Sequence, residues 1–450
     1  MKKIKPSAVA GSFYEGNKKE LLLQLKDFFS KNEKYYPVET RAIIVPHAGH
    51  YYSGQLASEG FYYLSKKVKN IFIIAPVHHV AVDEPVLTTY DEWSTPIGNI
   101  SVNQKINEEL IEKFGCIKND IPFDKEHSVE VQVPFIQYTN DKANIIPILV
   151  GHLFTKNISE IIEHYYDNPE NAFVISTDLS HFYTDQEAKR IDLVTADMIE
   201  LQDVENFHPQ QACGSSGLLS MIEFAKRKNF SLIRVGMMTS ADVSGDESRV
   251  VGYGSWLLYE ETKSEFVKKY FSDLVLEICS KTIALGLNGK QLDVLNEYKD
   301  IPPVLNETGS CFVTLKINGD LRGCIGSIIA HQPLLRDLVQ NAYNAAFADN
   351  RFYPLTEEEF DNLEISVSLL SEPKKMSFED EADFMDQIVP FTDGIIIKDG
   401  MYQAVYLPSV WEQLPDKEDF IRSLKQKAGL GSEHFSKSFE AYKFTTEHIG

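Results

Sequence analysis

The sequence has little cysteine. Five cysteines, at 116, 213, 279, 311 and 324, stand far apart in 450 residues, with no CxxC among them. An odd, scattered set excludes a disulfide framework and a cysteine-rich zinc site, and it points to reduced thiols in a cytoplasm. Positive charge is also scarce: 44 Lys and Arg against 66 Asp and Glu leave a net charge of -22. A surface of that sign repels phosphate backbones, and no run of Lys or Arg offsets it, so no nucleic-acid partner is expected. No window approaches the roughly 20 apolar residues of a membrane span. The opening "MKKIKPSAVAGSFYEG" is interrupted by Pro6, Ser7 and Glu15 before any apolar stretch of signal length, so no membrane association is expected either. There is no GxSxG, and Ser180 and His181 are sequence neighbours, which removes the usual serine hydrolase arrangement.

What is present is a rhythm. Apolar runs at 41–46, 70–76, 144–151, 171–177, 231–238 and 249–259 alternate with amphipathic stretches near 17–31, 53–67, 101–114, 128–138, 157–166, 185–201 and 213–228. The runs are continuously apolar, as strands covered on both faces are, so the first part reads as α/β: a largely parallel sheet flanked by helices. After residue 262 the rhythm changes. A long helix near 264–286 precedes a hairpin at 310–328 around Asn318-Gly319. A helix (333–349), a strand (363–370), a second hairpin (394–407), a helix (416–428) and a last strand (437–445) follow. The chain therefore divides into an α/β domain, 1–262, and a smaller α+β domain, 263–450.

The candidate chemistry gathers at strand ends. His47 follows the first run, in "PHAG". His78 and His79 follow the second, in "APVHHV". Asp178 and His181 follow the fourth, in "STDLSH". Asp242 and Asp246 follow the fifth, in "TSADVSGD", and "EHSVEVQ" adds His127 and Glu130 at a helix start. In an open α/β sheet the carboxyl ends of parallel strands share one edge, where ligands bind. One polar residue after a strand is ordinary, since Asp caps helices; several histidines and acids there, in a chain with 12 His, predict a metal or active site. Two imidazoles and a carboxylate suit non-haem Fe(II), and the same donors suit zinc. Asp178 and His181 fit an acid/base and its orienting partner, and His127 and Glu130 fit a supporting shell or a substrate contact. In "CGSSG" (213–217), Cys213 is a thiol that could face the cleft, and Ser215 or Ser216 reads as a helix cap in preference to an anion site.

The motifs "PHAG", "PVHHV", "EHSVEVQVPF", "STDLSH", "TSADVSGD" and "VVGYGS", in this order over about 5–260, resemble the Memo family, which is similar in fold and pocket position to class III extradiol dioxygenases. The resemblance implies His47 and His78 as metal ligands and His181 as the pocket acid/base. Animal members place a cysteine near "TSAD"; none stands there here, so the third ligand is expected to be Asp242, with Asp246 in reserve. Catalytic roles are expected for His181, Asp178, His127 and Glu130, and the cofactor is expected to be Fe(II), with Zn or Cu as alternatives. "LRGCIGS" (321–327), "NAAFADNRFYPLT" (344–356), "LEISVSLLSEP" (363–373) and "GIIIKDG" (394–400) resemble the AMMECR-type domain. Within it Arg322 is a candidate anion grip. Cys324 is either a nucleophile or, the favoured reading, a thiol in a small-residue strand. Together the two resemblances imply a fused part of a system that includes a radical SAM enzyme, AmmeMemoRadiSam. The expected activity is a metal-dependent, dioxygenase-like oxidoreductase acting on an aromatic small molecule or peptide-borne group. The alternatives are a non-catalytic peptide or phosphopeptide module and a zinc hydrolase.

Overall fold

The structure is a computed structural model and describes residues 2–32, 34–151, 155–289, 295, 298 and 301–450. It forms two compact units, Met1–Glu261 and Thr262–Gly450.

In the first unit the strands are β1 (Ile4–Lys5), β2 (Ala42–Val45), β3 (Asn70–Pro76), β4 (Val86–Leu87), β5 (Glu92–Ser94), β6 (Asn99–Ser101), β7 (Ile117–Lys118), β8 (Asn144–Val150), β9 (Asn171–Ser176), β10 (His181–Tyr183), β11 (Ser231–Thr239) and β12 (Val250–Tyr259). A nine-stranded sheet runs β10-β12-β2-β9-β3-β8-β4-β7, with β11 paired to β12; β1, β5 and β6 form a small separate sheet. Its centre is parallel: β2 lies beside β9, and β3 between β9 and β8. The flank is antiparallel, β12 against both β2 and β11. The fold class is α/β with a largely parallel sheet, as the sequence predicts.

The continuous apolar runs explain this centre. Side chains alternate across a strand, so each run feeds two cores. Ala42, Ile44, Phe72, Ile74, Phe173 and Ile175 join one core, which helices Thr155–Tyr166 and Ser215–Lys228 cover through Ile158, Ile162, Leu218 and Ile222. Ile43, Val45, Ile71, Ile73, Ala172 and Val174 join the other. Helices Lys18–Lys31 and His50–Tyr63 cover that face through Leu21, Leu25, Ala57 and Phe61. With both faces sealed, the strand ends are what remains for chemistry.

The second unit opens with helix Lys263–Leu287, started by a capping box of Thr262 and Glu265. One four-stranded sheet has the order β14-β13-β15-β20, from β13 (Cys311–Ile317), β14 (Asp320–Gly326), β15 (Leu363–Leu370) and β20 (Thr446–Ile449). The other has the order β16-β19-β17-β18, from β16 (Lys374–Lys375), β17 (Gly394–Asp399), β18 (Tyr402–Tyr406) and β19 (Glu440–Phe444). Asn318 and Gly319 turn β13 into β14 with φ of 53° and 84°, the doubly left-handed turn that suits a hairpin. Among the described residues of both units, no helix is long and apolar enough to cross a membrane.

Candidate metal centre

Three adjacent strands, β2, β9 and β3, deliver the site. His47 leaves β2, Asp178 and His181 leave β9, and His78 leaves β3. His127 arrives from elsewhere, on a loop stitched across the same strand ends. Ser128 donates its hydroxyl to Pro76 O at 2.8 Å, and its own carbonyl accepts from the Ser176 hydroxyl at 2.7 Å. Gln132 Nε2 donates to Pro46 O and to Ser176 Oγ, both at 2.9 Å. The loop is thus tied to all three strands. It places the His127 ring 5.4 Å from His47 and 4.6 Å from His78, with His47 and His78 5.2 Å apart. One ring nitrogen from each lies within 4.8 Å of the other two.

Hydrogen bonds settle which nitrogen each neutral ring leaves open. The Ser176 hydroxyl proton goes to Ser128 O, so His47 Nδ1, 3.0 Å from Ser176 Oγ, is the donor there and Nε2 carries the lone pair. His78 Nδ1 donates to Glu126 Oε1 at 2.9 Å, again freeing Nε2. His181 Nδ1 donates to Leu179 O at 2.8 Å, with the same result. A metal-ligating imidazole is commonly oriented this way, its other nitrogen held by a carboxylate or carbonyl.

The electrostatics favour the neutral form of two of the donors, His47 and His127. Burial pushes His47 well below the usual imidazole range, helped by His127 and His78, and lowers His127 to about 4. Burial alone would raise Glu126, but the bonds from His78 and the Ser128 amide hold it at about 2, so it stays a carboxylate. Asp178 is pushed up to about 6 by burial; its Oδ1 accepts the His47 amide at 2.8 Å and its Oδ2 stands 3.9 Å from His47 Nε2. With His47 neutral, that last approach is not an ion pair. Cys213 packs against Asp178, its Sγ 3.3 Å from the Asp178 amide nitrogen and 3.2 Å from His47 Nε2, and burial together with Asp178 pushes the thiol's pKa up.

Three predicted site residues, Asp242, Asp246 and Glu130, lie elsewhere. Asp242 accepts from the Thr239 amide at 2.7 Å and reaches Lys189 Nζ at 3.5 Å. It follows β11, which lies beyond β12, two strand spacings or about 10 Å from β2. Coordination needs donors about 2 Å from the ion. The third member of the cluster is His127, so the expected N,N,O set is replaced in space by three imidazoles. Asp246 is bound to Ser248, its Oδ1 accepting the hydroxyl at 2.6 Å. Glu130 is buried facing the amino terminus, where it accepts from Lys5 Nζ, Ala8 N, Val9 N and Tyr14 OH; it anchors a strap and makes no contact with the three imidazoles. Neither Ser215 nor Ser216 caps its helix: Gly214 is the cap residue, and Ser216 donates to Gly151 O. Glu126 and Ser176 are the positioning groups that the sequence reading missed; the signal for Glu126 was a carboxylate immediately before His127.

The profile of the Memo-like protein family matches residues 5–257, and that of AMMECR1 matches 276–449. The chain belongs to the Memo-like family. A MEMO1 family protein of Archaeoglobus fulgidus is 31% identical over 259 residues, covering 54% of this chain and 95% of its own length. The memo-1 homolog of Caenorhabditis elegans is 36% identical over 180 residues, covering 38% of this chain and 51% of that one. A crystal structure of an uncharacterized protein from Pyrococcus horikoshii is 31% identical and covers 38% of this chain and 90% of its own, with a TM-score of 0.33.

In this Memo-like chain the fused AMMECR1 domain explains its "LRGCIGS" motif by packing. Arg322 is held by Glu359, Nε at 2.8 Å and a terminal nitrogen at 3.0 Å, so its guanidinium already grips a carboxylate of its own chain. Cys324 Sγ lies 3.3 Å from the Thr314 hydroxyl and beside the Arg351 guanidinium, with no base paired to it among the described residues. Its amide donates to Asp349 and its carbonyl accepts from Arg351, so this ion pair occupies the free rim of edge strand β14 as a neighbouring strand would. A Cβ at Gly323 would collide with Ala345 O, so glycine there permits the close approach of helix Leu334–Phe347.

Proposed function

We propose that the first unit is a metal-dependent oxidoreductase centre of the dioxygenase-like kind, holding Fe(II) through His47, His78 and His127. The observation that supports this is the convergence of three imidazoles, His47 buried, His127 half-buried and His78 open to solvent, two of which already spend a ring N–H on Ser176 and Glu126. The donor chemistry fits a divalent transition ion, which would supply Lewis acidity and, as iron, oxygen chemistry.

The chain's own residues do the rest. Glu126 holds His78 by both its amide and its ring and accepts the His127 amide, so one carboxylate orients two ligands. Phe13 lies against the His127 ring at 4.5 Å and excludes water from that side. His181, its Nδ1 proton committed to Leu179, accepts or returns a proton at Nε2. The substrate class under this reading is an aromatic small molecule or a peptide-borne group, with a radical SAM enzyme as partner. A zinc hydrolase is the second reading, favoured by one specific observation: three imidazoles without a carboxylate are a ligand set that catalytic zinc also uses.

Anaerobic purification followed by metal analysis and oxygen-uptake measurement separates these. Iron with oxygen uptake supports the first reading. Zinc with indifference to oxygen supports the second. A chain that holds no metal under these conditions overturns both and leaves a binding module.

A further inference from the structure

The stretch after His181 is strained. Phe182 has φ of 68°, a left-handed backbone that a bulky aromatic rarely adopts. It is the extra residue of a bulge: His181 pairs with Val251 and Tyr183 with Val250, leaving Phe182 unopposed. Its ring is nevertheless 62% exposed, so burial does not hold it there. What it touches is informative. Its ring centroid is 5.6 Å from that of the His181 imidazole, and the guanidinium carbon of Arg249 lies over the Phe182 ring, 4.3 Å from its centroid. Two short steps therefore link the predicted acid/base to a cation.

That cation is unspent. Among the described residues no carboxylate lies within ion-pair distance of Arg249. Glu247, two residues away, makes no ion pair with it among the described residues, Asp246 accepts from Ser248, and Asp185 and Asp242 pair with Lys189. Stacking over a ring leaves a guanidinium's in-plane N–H edge open, and that edge matches a carboxylate or phosphate in two-point geometry. A chain of net charge -22 repels anions in general, so an anionic ligand needs a local cation where it enters.

We propose that Arg249, steadied by the bulged Phe182, is a specificity-determining residue that grips the oxyanion of the molecule entering beside His181. The inference rests on reading the histidine cluster as the functional centre, and it narrows the substrate to one carrying a carboxylate or phosphate. Tyr183, 47% exposed, adds a second aromatic surface beside it.

The test uses the full-length protein stripped of metal on a chelating resin and held in chelator-free buffer, so that it does not depend on a bound ion, with benzoate, phenyl phosphate and the neutral benzamide as probes. Binding is read by ligand-observed NMR titration. One of the two anions is expected to bind roughly five-fold tighter than benzamide, as one solvent-accessible charge pair would give; which anion prefers the site distinguishes carboxylate from phosphate. Arg249→Ala is expected to abolish the preference and Arg249→Lys to keep part of it. Phe182→Asn, which suits a left-handed backbone, is expected to leave the thermal midpoint unchanged while weakening the preference. Equal binding of all three probes, or a preference that survives Arg249→Ala, overturns the proposal. Because metal content is not read here, a chain that prefers anions but holds no metal would sink the metal reading and leave this one standing.

Discussion

His127 stands 49 positions beyond His78 in the sequence and meets it because a glutamate next door serves both. Glu126 accepts from the His78 ring, the His78 amide and the His127 amide. Replacing it with glutamine removes the charge that orients these ligands, and metal affinity in a competitive chelator titration is expected to fall by about 10- to 100-fold. His50 tests the pH behaviour away from the cluster. Its Nε2 donates to Val131 O at 2.9 Å, and burial lowers it to about 4. Unfolded, it titrates near 6.5. Between about 6.5 and 4 the unfolded chain holds a proton that the folded chain refuses, so this residue's contribution is full above 6.5 and lost as pH falls toward 4. The loss amounts to up to about 3 kcal/mol. In urea melts across that window, His50→Phe is expected to show a shallower decline than wild type; an identical slope would contradict the assignment. The residues legible in the sequence were those whose strand ends are neighbours: His47, His78, Asp178 and His181. Glu126 was not, because a carboxylate before a histidine looks like any loop acid until its four hydrogen bonds are seen.

At the scale of elements, the amino-terminal strap is the least obvious part of the design. Lys5, Ala8, Val9 and Tyr14 all donate to one buried carboxylate, Glu130, and Phe13, within the same strap, covers His127. Glu130→Ala would leave the Lys5 ammonium buried and unpaired, with a cost of about 3–5 kcal/mol. Limited proteolysis is then expected to cut within residues 3–14 first, where wild type resists. The sequence placed Glu130 at a helix start, and the 3-10 turn Glu130–Gln132 does run straight into helix Val133–Thr139, but the carboxylate is spent on the strap and so does not serve the imidazoles. Strands 70–76 and 363–370 fall where the sequence put them, since apolar runs bounded by turns are strong signals. β1, β4 and β7, two residues each, carry no periodicity to detect. In the AMMECR1 domain, Gly323→Ala is expected to lower the thermal midpoint by several degrees, because the clash is with helix backbone that cannot rotate away. A midpoint unchanged by that substitution would mean the helix does not sit so close.

At the scale of the molecule, strand order decides the ligand set. β2, β9 and β3 are consecutive in the sheet, so their carboxyl ends crowd one crevice; β11 is two places further out, and the acid that follows it never reaches the imidazoles. The sequence reading assumed one shared edge and was right about the edge. It could not see the order of strands along it, since β11 reaches the sheet through the antiparallel β12. The measurement that bears most directly on this account is metal stoichiometry in the full-length chain for wild type, His127→Ala and Asp242→Asn, each checked for native circular dichroism. A three-imidazole centre predicts a stoichiometric ion in wild type and in Asp242→Asn, and its loss in His127→Ala. Retention in His127→Ala with loss in Asp242→Asn would contradict it.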